Sequence, residues 1–306
     1  MQDIELEEAM LIGIDLGGSS AKMVLLNQDG SLVESIQLDF DPVLPMHWAE
    51  MILRQYQSWR SNYKTAPITG LSGPGLAAAD QKSIAHMPGR LEGLVGLNWT
   101  EYLATDQFVP VLNDAQAAAM GEAWLGAARG LSDVVLLTLG TGVGGAVLSG
   151  GLPLKGRLGR AGHLGHISLD PEGDLDIVNT PGSLEMMIGN ATINERTQGR
   201  FASTHDLVAV ALTGDQNAQE IWDKSIRALA AAIASLINLF DPEIFLLGGG
   251  ITRAGDALMN PLKEWMNRFE WRPDGSATPI KLTTLGEMAG AYGAARNAWL
   301  GRQAEA

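Results

Sequence analysis

A strand–glycine turn–strand unit occurs twice in this 306-residue chain and constrains its fold more than any other feature. The first copy runs from Leu11 to Leu26 around Gly17-Gly18, and the second opens the other half of the chain at Val134 and turns near Gly140. Apolar runs separated by glycine predict paired strands. Two halves that open in the same way predict two similar α/β units of about 150 residues each.

The second turn lies in the glycine-rich stretch 136–166, which has ten glycines between Gly140 and Gly165. An ordinary hairpin turn needs only one or two glycines. Because glycine tolerates positive φ, such a turn can aim consecutive N–H groups at an anion. The stretch therefore predicts a phosphate-binding turn containing Gly140, Thr141, Gly142 and Gly144. A plain hairpin turn is the alternative.

Composition excludes several classes of protein. The chain has 21 Lys and Arg against 35 Asp and Glu, a formal net charge of −14, which opposes nucleic-acid binding. It has no cysteine, which excludes disulfides and thiolate metal sites. We find no apolar run of membrane length and no signal peptide, so we expect a cytoplasmic protein with no membrane partner. The first ten residues are mostly acidic and predict a frayed start.

Further periodic segments extend the α/β pattern. The spacing of apolar residues predicts helices over 46–64, 115–128, 218–240, 257–269 and 288–300, and apolar runs predict strands over 32–38, 68–72, 109–113, 167–169, 244–247 and 280–285. We place the domain boundary at Asn113-Asp114. This predicts an N-terminal domain, 1–114, completed by the C-terminal helix 288–306, and a second domain, 115–287.

Two aspartates follow apolar strands and are candidates for chemistry. Asp15 ends a strand at Gly17-Gly18, where a carboxylate can hold Mg²⁺ directly or through water. A turn-stabilising side chain is its alternative role. Asp114 follows Asn113, and the pair offers a base and a hydroxyl-reading amide. Asp114 is equally suited to cap the helix that starts at Ala115, and the two roles are compatible.

Three polar residues after the second hairpin are candidates for ligand binding. His163 and His166 have the spacing of a metal pair, but no Cys or third His lies nearby, so donation to a polyhydroxy ligand is favoured over zinc. Glu185 follows on a helix that Ser183 can cap. Its alternative is a solvated glutamate in a first helical turn.

In sequence order, these segments resemble the ROK family of sugar kinases, which share the actin and hexokinase ATPase fold. The resemblance extends from about Leu11 to Leu300. Its marks are IDLGGSSAK (14–22), SGPG (72–75), NDA (113–115), TLGTGVGGAVLSGG (138–151), GRAGHLGH (159–166) and LLGGG (246–250). The resemblance implies an α/β, two-domain actin/hexokinase-like (ribonuclease H-like) fold with an interdomain cleft.

The resemblance also implies site residues. The sugar would contact Gly75, Asn113, His163, His166 and Glu185, with Asp114 as catalytic base. The residues implied for ATP and Mg²⁺ are Asp15 (metal), Gly17, Gly18, Ser19, Lys22, Gly140, Thr141, Gly142, Gly144, Gly248, Gly249 and Gly250.

The chain departs from the family pattern at two places. The family usually has a cysteine-rich zinc loop between the positions of His166 and Glu185, but here Asp176, Val178 and Ser183 stand where the cysteines are expected. We therefore expect no zinc. Many members have Glu at the position of His163, whereas kinases that resemble N-acetylmannosamine kinase can carry His there.

Together these features predict an ATP-dependent kinase that phosphorylates a hexose, at the 6-hydroxyl, and that forms a homodimer. An N-acetylmannosamine or N-acetylhexosamine kinase is the alternative, and polyphosphate is an alternative donor. A sugar-sensing repressor is disfavoured because only ten residues precede the first strand. A non-catalytic sugar-binding protein is disfavoured by Asp114.

Overall fold

The computed structural model describes residues 9–87, 89 and 91–305, which form two compact units. Unit 1 contains the described residues up to Gly130, the segment Gly151–Ala161 and the described residues from Thr284 onward. Unit 2 contains Leu131–Gly150 and Gly162–Thr283. Most of the acidic start of the chain, residues 1–8, lies outside the described residues.

Strands and helices both occur in each half of the chain. The strands are β1 Leu11–Leu16, β2 Ser20–Leu26, β3 Leu32–Asp39, β4 Ile68–Gly73, β5 Leu76–Ala77, β6 Ile84–His86, β7 Val111–Asn113, β8 Val134–Leu139, β9 Val143–Ser149, β10 Leu152–Pro153, β11 Ile244–Gly248 and β12 Ile280–Leu282. The α-helices are α1 His47–Arg60, α2 Trp99–Tyr102, α3 Asp114–Leu125, α4 Leu184–Ile188, α5 Ile193–Arg196, α6 Thr204–Leu212, α7 Gln216–Phe240, α8 Asp256–Phe269 and α9 Ala289–Glu305. Within the described ranges, no helix is both long enough and apolar enough to cross a membrane.

The main sheet of unit 1 has the strand order β3-β2-β1-β4-β7. Strands β1 and β2 form the predicted antiparallel hairpin, with Leu11 opposite Leu26. Strand β4 runs parallel to β1, and β7 runs parallel to β4. Because parallel strands end at the same edge of a sheet, the polar residues that follow β1, β4 and β7 are brought to one edge.

Unit 2 repeats this arrangement. Strands β9, β8, β11 and β12 lie side by side in that order, with β8 and β9 antiparallel and β8, β11 and β12 parallel. Their order and directions match those of β2, β1, β4 and β7. The prediction that both halves open with the same strand–turn–strand unit is therefore confirmed.

Helix α7 supplies much of the core of unit 2. Its apolar residues recur every three or four positions and are buried, among them Trp222, Ile226 and Ile233. The Asp215 carboxylate caps its start by accepting from the Ala218 N–H at 2.8 Å, and Asp241 ends it with a left-handed φ of 43°. The predicted helix is confirmed, with its start two residues earlier.

The C-terminal helix α9 packs directly on the backbone of unit 1. Glycines make this approach possible: a Cβ at Gly13 or Gly70 would overlap the carbonyl of Ala291 or Ala294 of α9. In the same way, a Cβ at Gly293 of α9 would overlap the carbonyl of Ala117 in α3. Helix α9 therefore joins β1, β4 and α3 through contacts that leave no room for side chains.

This packing determines the unit to which α3 belongs. The proposed boundary after Asp114 assigns α3 to the second domain, whereas the structure includes α3 and α9 in unit 1. Glu122 of α3 strengthens the connection, because its buried carboxylate accepts from the N–H groups of Thr284 and Leu285, both at 2.8 Å, just before α9. The helix therefore packs with the strands that precede it in sequence.

The prediction of a strand over 167–169 is wrong. This segment makes one isolated bridge, between Ser168 and Ser183, and its backbone bonds are to Leu164, Gly182 and Leu184. The segment follows a 3₁₀ turn and pairs with the end of its own loop, so it does not lie beside a strand of a sheet. Helices α1 and α3 and strands β7 and β12 are each shorter than the sequence predicts.

We expect Gly293→Ala to lower the free energy of unfolding by about 1–3 kcal/mol, the usual cost of overpacking a close contact. Gly301→Ala is the matched control, because it lies on the same helix and its Cβ would meet nothing within 4 Å. The control should be neutral or stabilising by up to about 1 kcal/mol, since alanine favours helix more than glycine does. Urea unfolding of both variants measures the difference, and equal stabilities would contradict the packing argument.

Candidate active site

In unit 1, the candidate residues gather where the parallel strands end. Asp15 of β1 lies opposite Ser72 of β4, and the Ser72 hydroxyl donates to the Asp15 carboxylate at 2.7 Å. Gly73, the next residue of β4, lies opposite Asn113 at the end of β7. Strand pairing thus places Asp15, Ser72, Asn113 and Asp114 along one sheet edge.

The Asp15 carboxylate lies in an environment that disfavours its charge. Burial raises the pKa of Asp15 to about 6, and the negative charge of Asp114 adds to this effect, while the Ser72 hydroxyl and Lys22 oppose it. Helix α9 contributes to this burial, because a Cβ at Gly290 would lie 2.5 Å from the Asp15 carboxyl carbon. A carboxylate whose proton affinity is raised by burial and by the charge of a second carboxylate lies where a divalent cation would be stabilising.

Asp114 is the first residue of α3, and Asn113 is the capping residue before it. The expected helix start at Ala115 is therefore one residue late. The Ala115 N–H donates to both side chains, at 3.0 Å to Asn113 and at 2.7 Å to Asp114. Asp114 is accessible to solvent, yet the protein around it excludes enough water to raise its pKa, against the opposing bonds from Ala115 and Asn113. A carboxylate with a raised pKa and an accessible oxygen is suited to accept a proton.

The Asn113 amide also positions Gly75. It donates to the Gly75 carbonyl at 2.9 Å, and Gly75 has a φ of +93°. A Cβ at Gly75 would overlap the carbonyl of His86 on β6. The SGPG segment is therefore held against the β5–β6 hairpin, beside the end of β7.

The first glycine turn and Lys22 complete the candidates of unit 1. The turn is closed by a bond from the Gly17 N–H to the Ser20 carbonyl at 2.8 Å, and Gly18 and Ser19 at its tip are exposed. Lys22 on β2 is half-buried and pairs with Glu287 at 3.5 Å. Lys22 thus contacts the turn just before α9, and it also lies opposite Asp15 in the β1–β2 hairpin.

In unit 2, the turn between β8 and β9 is tighter than predicted. It consists of Gly140, Thr141 and Gly142, and Gly144 lies in β9 opposite Thr138. Gly140, Gly142 and Gly144 do not use the positive φ that glycine would allow at such a turn. The Gly140 N–H is bonded to the Gly142 carbonyl at 2.9 Å, and Thr141 is exposed at the tip. Phosphate binding by this turn stays a prediction.

Close packing explains Gly142 of this turn, whereas a Cβ at Gly140 would meet nothing within 4 Å. A Cβ at Gly142 would overlap the Glu185 carboxylate, which accepts from the Val143 N–H at 2.9 Å. Glu185 lies in the first turn of α4, which Ser183 caps by accepting from the Met186 N–H at 3.5 Å. Glu185 is therefore attached to the hairpin rather than freely solvated.

The two histidines lie on a segment that packs on β9. A Cβ at Gly165 would overlap the carbonyl of Val143, and one at Gly145 would lie 2.8 Å from the Gly162 carbonyl oxygen. Burial lowers the pKa of His163, and His166 lowers it further, so His163 is a neutral imidazole at physiological pH. The ring of His166 is bonded through Nδ1 to Asp176 at 2.8 Å.

The third glycine segment lies beside the hairpin of unit 2. Gly248 ends β11, opposite Thr138 of β8, and Gly249 has a φ of +88°. A Cβ at Gly249 would overlap the carbonyl of Leu139, and Gly250 begins a short 3₁₀ helix. The structure thus brings Gly248, Gly249 and Gly250 next to the Gly140–Gly142 turn.

Sequence reasoning missed three residues that contact candidate site residues within their own units. Ser72 was part of the SGPG segment but had no expected role, and it contacts Asp15 from 57 positions away. Gly290 lies against Asp15, and Asp176 bonds to His166. Only Asp176 had a signal, since it stands at an expected cysteine position.

We expect Asp15→Asn to stabilise the protein at neutral pH. The folded-state pKa of Asp15 is about 6, against its usual 3.8, so the folded protein binds this proton more tightly than the unfolded chain does. The resulting contribution to stability is fully present below about pH 4 and is lost as the pH rises through about 6. Each pKa unit corresponds to about 1.4 kcal/mol, which gives an upper limit of about 3 kcal/mol for the gain. The gain should be greatest above pH 7 and should vanish below about pH 4.

Asp106→Asn is the control for the loss of one negative charge, since Asp106 is an exposed aspartate of the same unit. Thermal unfolding at pH 4 and at pH 7.5 tests both variants. A pH-independent difference, or one equal to that of the control, would contradict the burial argument.

Comparison with known proteins agrees with this architecture. A family model described as "ROK family" matches residues 11–300. The chain is 32% identical to a glucokinase of Thermotoga maritima, over 93% of this chain and 96% of the relative, and 30% identical to an N-acetylmannosamine kinase of Escherichia fergusonii, over 78% and 82%. A ROK family glucokinase from Streptomyces griseus, solved in complex with glucose and AMPPNP, matches with a TM-score of 0.71 and 25% identity, over 96% of this chain and all (100%) of that one. The predicted fold class is confirmed, and the chain belongs to the ROK family.

Proposed function

We propose that this protein is a sugar kinase that transfers the γ-phosphoryl group of ATP to a hydroxyl of a hexose, at the 6-position. The observation that carries the proposal is the Asp114 carboxylate at the carboxyl end of β7, accessible to solvent, with a raised pKa and next to the Asp15 site. A phosphoryl-transfer site needs a proton acceptor and a nearby metal-binding carboxylate, and this edge of the sheet offers both. The named glucokinase and N-acetylmannosamine kinase relatives support the same activity.

In this proposal, the oxygen of the sugar hydroxyl attacks the γ-phosphorus of ATP, and Asp114 accepts the proton of that hydroxyl. The bond between the γ-phosphorus and the oxygen that bridges it to the β-phosphate breaks, and ADP leaves. Asn113 fixes the position of Asp114 at the start of α3 and holds Gly75 beside it. Asp15 would hold Mg²⁺, directly or through water, and its carboxylate oxygen is the type of ligand that this cation prefers. When bound, Mg²⁺ would neutralise the charge that develops on the transferred group.

The remaining residues divide into phosphate-binding and sugar-binding sets. Main-chain N–H groups of the two glycine turns would bind phosphate oxygens, with Ser19, Lys22 and Thr141 contributing side chains. The residues Gly17, Gly18, Gly140, Gly142, Gly144 and Gly248–Gly250 belong to the nucleotide set. Gly75, Asn113, His163, His166 and Glu185 belong to the sugar set. Within the sugar set, Glu185 also lies against the nucleotide set, because its carboxylate accepts from the Val143 N–H beside Gly142.

ATP is the favoured donor because the Streptomyces griseus relative was solved with AMPPNP, an ATP analogue. An N-acetylmannosamine or N-acetylhexosamine kinase is the second candidate, and the specific observation that favours it is His163. A neutral imidazole provides one donor and one acceptor, whereas a glutamate at this position would provide only acceptors. A cytoplasmic homodimer remains our prediction for the assembled protein.

A coupled ADP-release assay tests the proposal directly. We would supply Mg²⁺-ATP with a panel of hexoses and N-acetylhexosamines and identify the phosphorylated position of the product by ³¹P NMR. A parallel series with polyphosphate as donor decides between the two donors. Sugar-independent ADP release, or none with any sugar, would refute the kinase proposal.

We expect Asp114→Asn to lower kcat by about 10²–10⁴-fold, the usual contribution of a general base, with little change in sugar affinity. Asparagine can still accept from the Ala115 N–H, so the start of α3 should be retained. Asp106→Asn, an exposed aspartate of the same unit, is the matched control and should leave kcat unchanged. Near-normal turnover by Asp114→Asn would refute its role as base.

We expect His163→Glu to raise the ratio of kcat/KM for glucose over N-acetylmannosamine by at least about fivefold. An unpaired buried polar group costs about 1–3 kcal/mol, which corresponds to about 5- to 150-fold between competing sugars. His205→Glu is the control, since His205 is an exposed histidine of α6. An unchanged ratio with both sugars turned over would show that His163 does not read the substituent at C2.

A further inference from the structure

The loop between His166 and Glu185 is organised by one buried carboxylate. Asp176 has a fully buried side chain, with 0% exposure. Its Oδ1 accepts from the N–H groups of Val178 and Thr180, both at 2.9 Å, and its Oδ2 lies 2.8 Å from Nδ1 of His166. One side chain thus closes the 176–180 turn and binds the histidine ring.

This arrangement does not fit a zinc ion. The three positions where the family pattern has cysteines hold Asp176, Val178 and Ser183, and within the described residues no group of three or more His, Cys, Asp and Glu side chains is placed to hold a metal. The distance between His166 and Asp176 agrees, because two ligands at about 2.0–2.1 Å from a tetrahedral zinc are about 3.3 Å apart. At 2.8 Å, the nitrogen and the oxygen share a hydrogen bond instead.

The charge of Asp176 determines which nitrogen of His166 carries a proton. Bonds from the Thr180 N–H, His166, Ser183 and the Val178 N–H outweigh burial and lower the pKa of Asp176, so the carboxylate is ionised at neutral pH. An ionised carboxylate only accepts hydrogen bonds, so Nδ1 must be the donor. In the neutral ring, Nε2 is then left as an acceptor. The ring is 24% exposed, so it is accessible from solvent.

We propose that Asp176 is a positioning residue that replaces zinc: it holds His166 with Nδ1 protonated and thereby presents Nε2 as an acceptor for a sugar hydroxyl. The part that concerns the sugar rests on the proposed function, whereas the part that concerns the proton on Nδ1 does not. The ring is oriented by a hydrogen bond instead of by a metal ion, with the loop closed by the same carboxylate. The polarity of Nε2 is opposite in the two cases, because a histidine whose Nδ1 binds a metal keeps its proton on Nε2 and donates from it.

Asp176→Asn tests the proposal sharply because asparagine has only one side-chain oxygen. Two backbone N–H groups occupy Oδ1, so the amide oxygen should stay there, and the NH₂ group should then face His166. Nδ1 must become an acceptor, and the proton should move to Nε2. The variant keeps the shape of the loop and reverses the hydrogen-bonding polarity of the ring.

The readout is ¹⁵N NMR of histidine-labelled protein at alkaline pH, where imidazole is neutral. The chain has five histidines, and the signal of His166 is assigned by its absence in His166→Gln. We expect the Nδ1-protonated form in the wild type and in the control Asp174→Asn, an exposed aspartate of the same loop, and the Nε2-protonated form in Asp176→Asn. We also expect KM for the sugar to rise about 5- to 150-fold in Asp176→Asn and to stay unchanged in the control.

The wild-type spectrum alone can overturn the proposal, even if the variant does not fold: an Nε2-protonated His166 would do so. Stoichiometric zinc in the purified protein, measured by elemental analysis, would also overturn it. So would an Asp176→Asn variant with the wild-type proton position or the wild-type KM. If the proton moves as expected but no sugar is phosphorylated by the wild type, only the proposed function fails.

Discussion

The direct contact of helix α9 with the backbone of β1, β4 and α3 is the constraint on which unit 1 depends. It brings the end of the chain onto its first strand, and it is possible only because positions such as Gly13 and Gly293 lack side chains. The same helix approaches Asp15 at Gly290 and contributes to the burial that raises the pKa of this carboxylate to about 6. Fold stability and the chemistry of the candidate metal site therefore share one structural cause.

The two units use one sheet arrangement for different purposes. In unit 1, parallel strand ends bring together the carboxylates of Asp15 and Asp114. In unit 2, the glycines of the hairpin allow Glu185 and the 162–166 segment to pack against β9, which fixes His163 and His166. Much of the glycine content of this region thus serves close packing around candidate ligand-binding side chains. If the Gly140–Gly142 turn also binds phosphate, as we predict, it has two functions: packing against Glu185 and binding the nucleotide.

The loop that carries Asp176 shows how a hydrogen-bonded carboxylate can take over two tasks of a metal ion. It closes a turn by accepting from two backbone N–H groups, and it orients a neighbouring imidazole. A buried carboxylate is costly unless its oxygens are paired, and here both oxygens have donors. Under our proposal, this chain would keep the orientation of His166 without depending on zinc supply or on the redox state of cysteines.

The sequence by itself determined the elements whose signal is local: the two hairpins, the amphipathic helix α7, and Asp15 and Asp114 as polar residues after apolar strands. It also determined the family, because the motifs occur in order across the chain. Only the tertiary structure decided that α3 packs with α9, that Ser72 contacts Asp15, that Asp176 binds His166, and that 167–169 is not a strand. Periodicity reports which face of one element is apolar, whereas pairing between distant segments depends on which backbones can approach each other. That approach was decided here by glycines and buried polar groups whose partners lie many residues away in the chain.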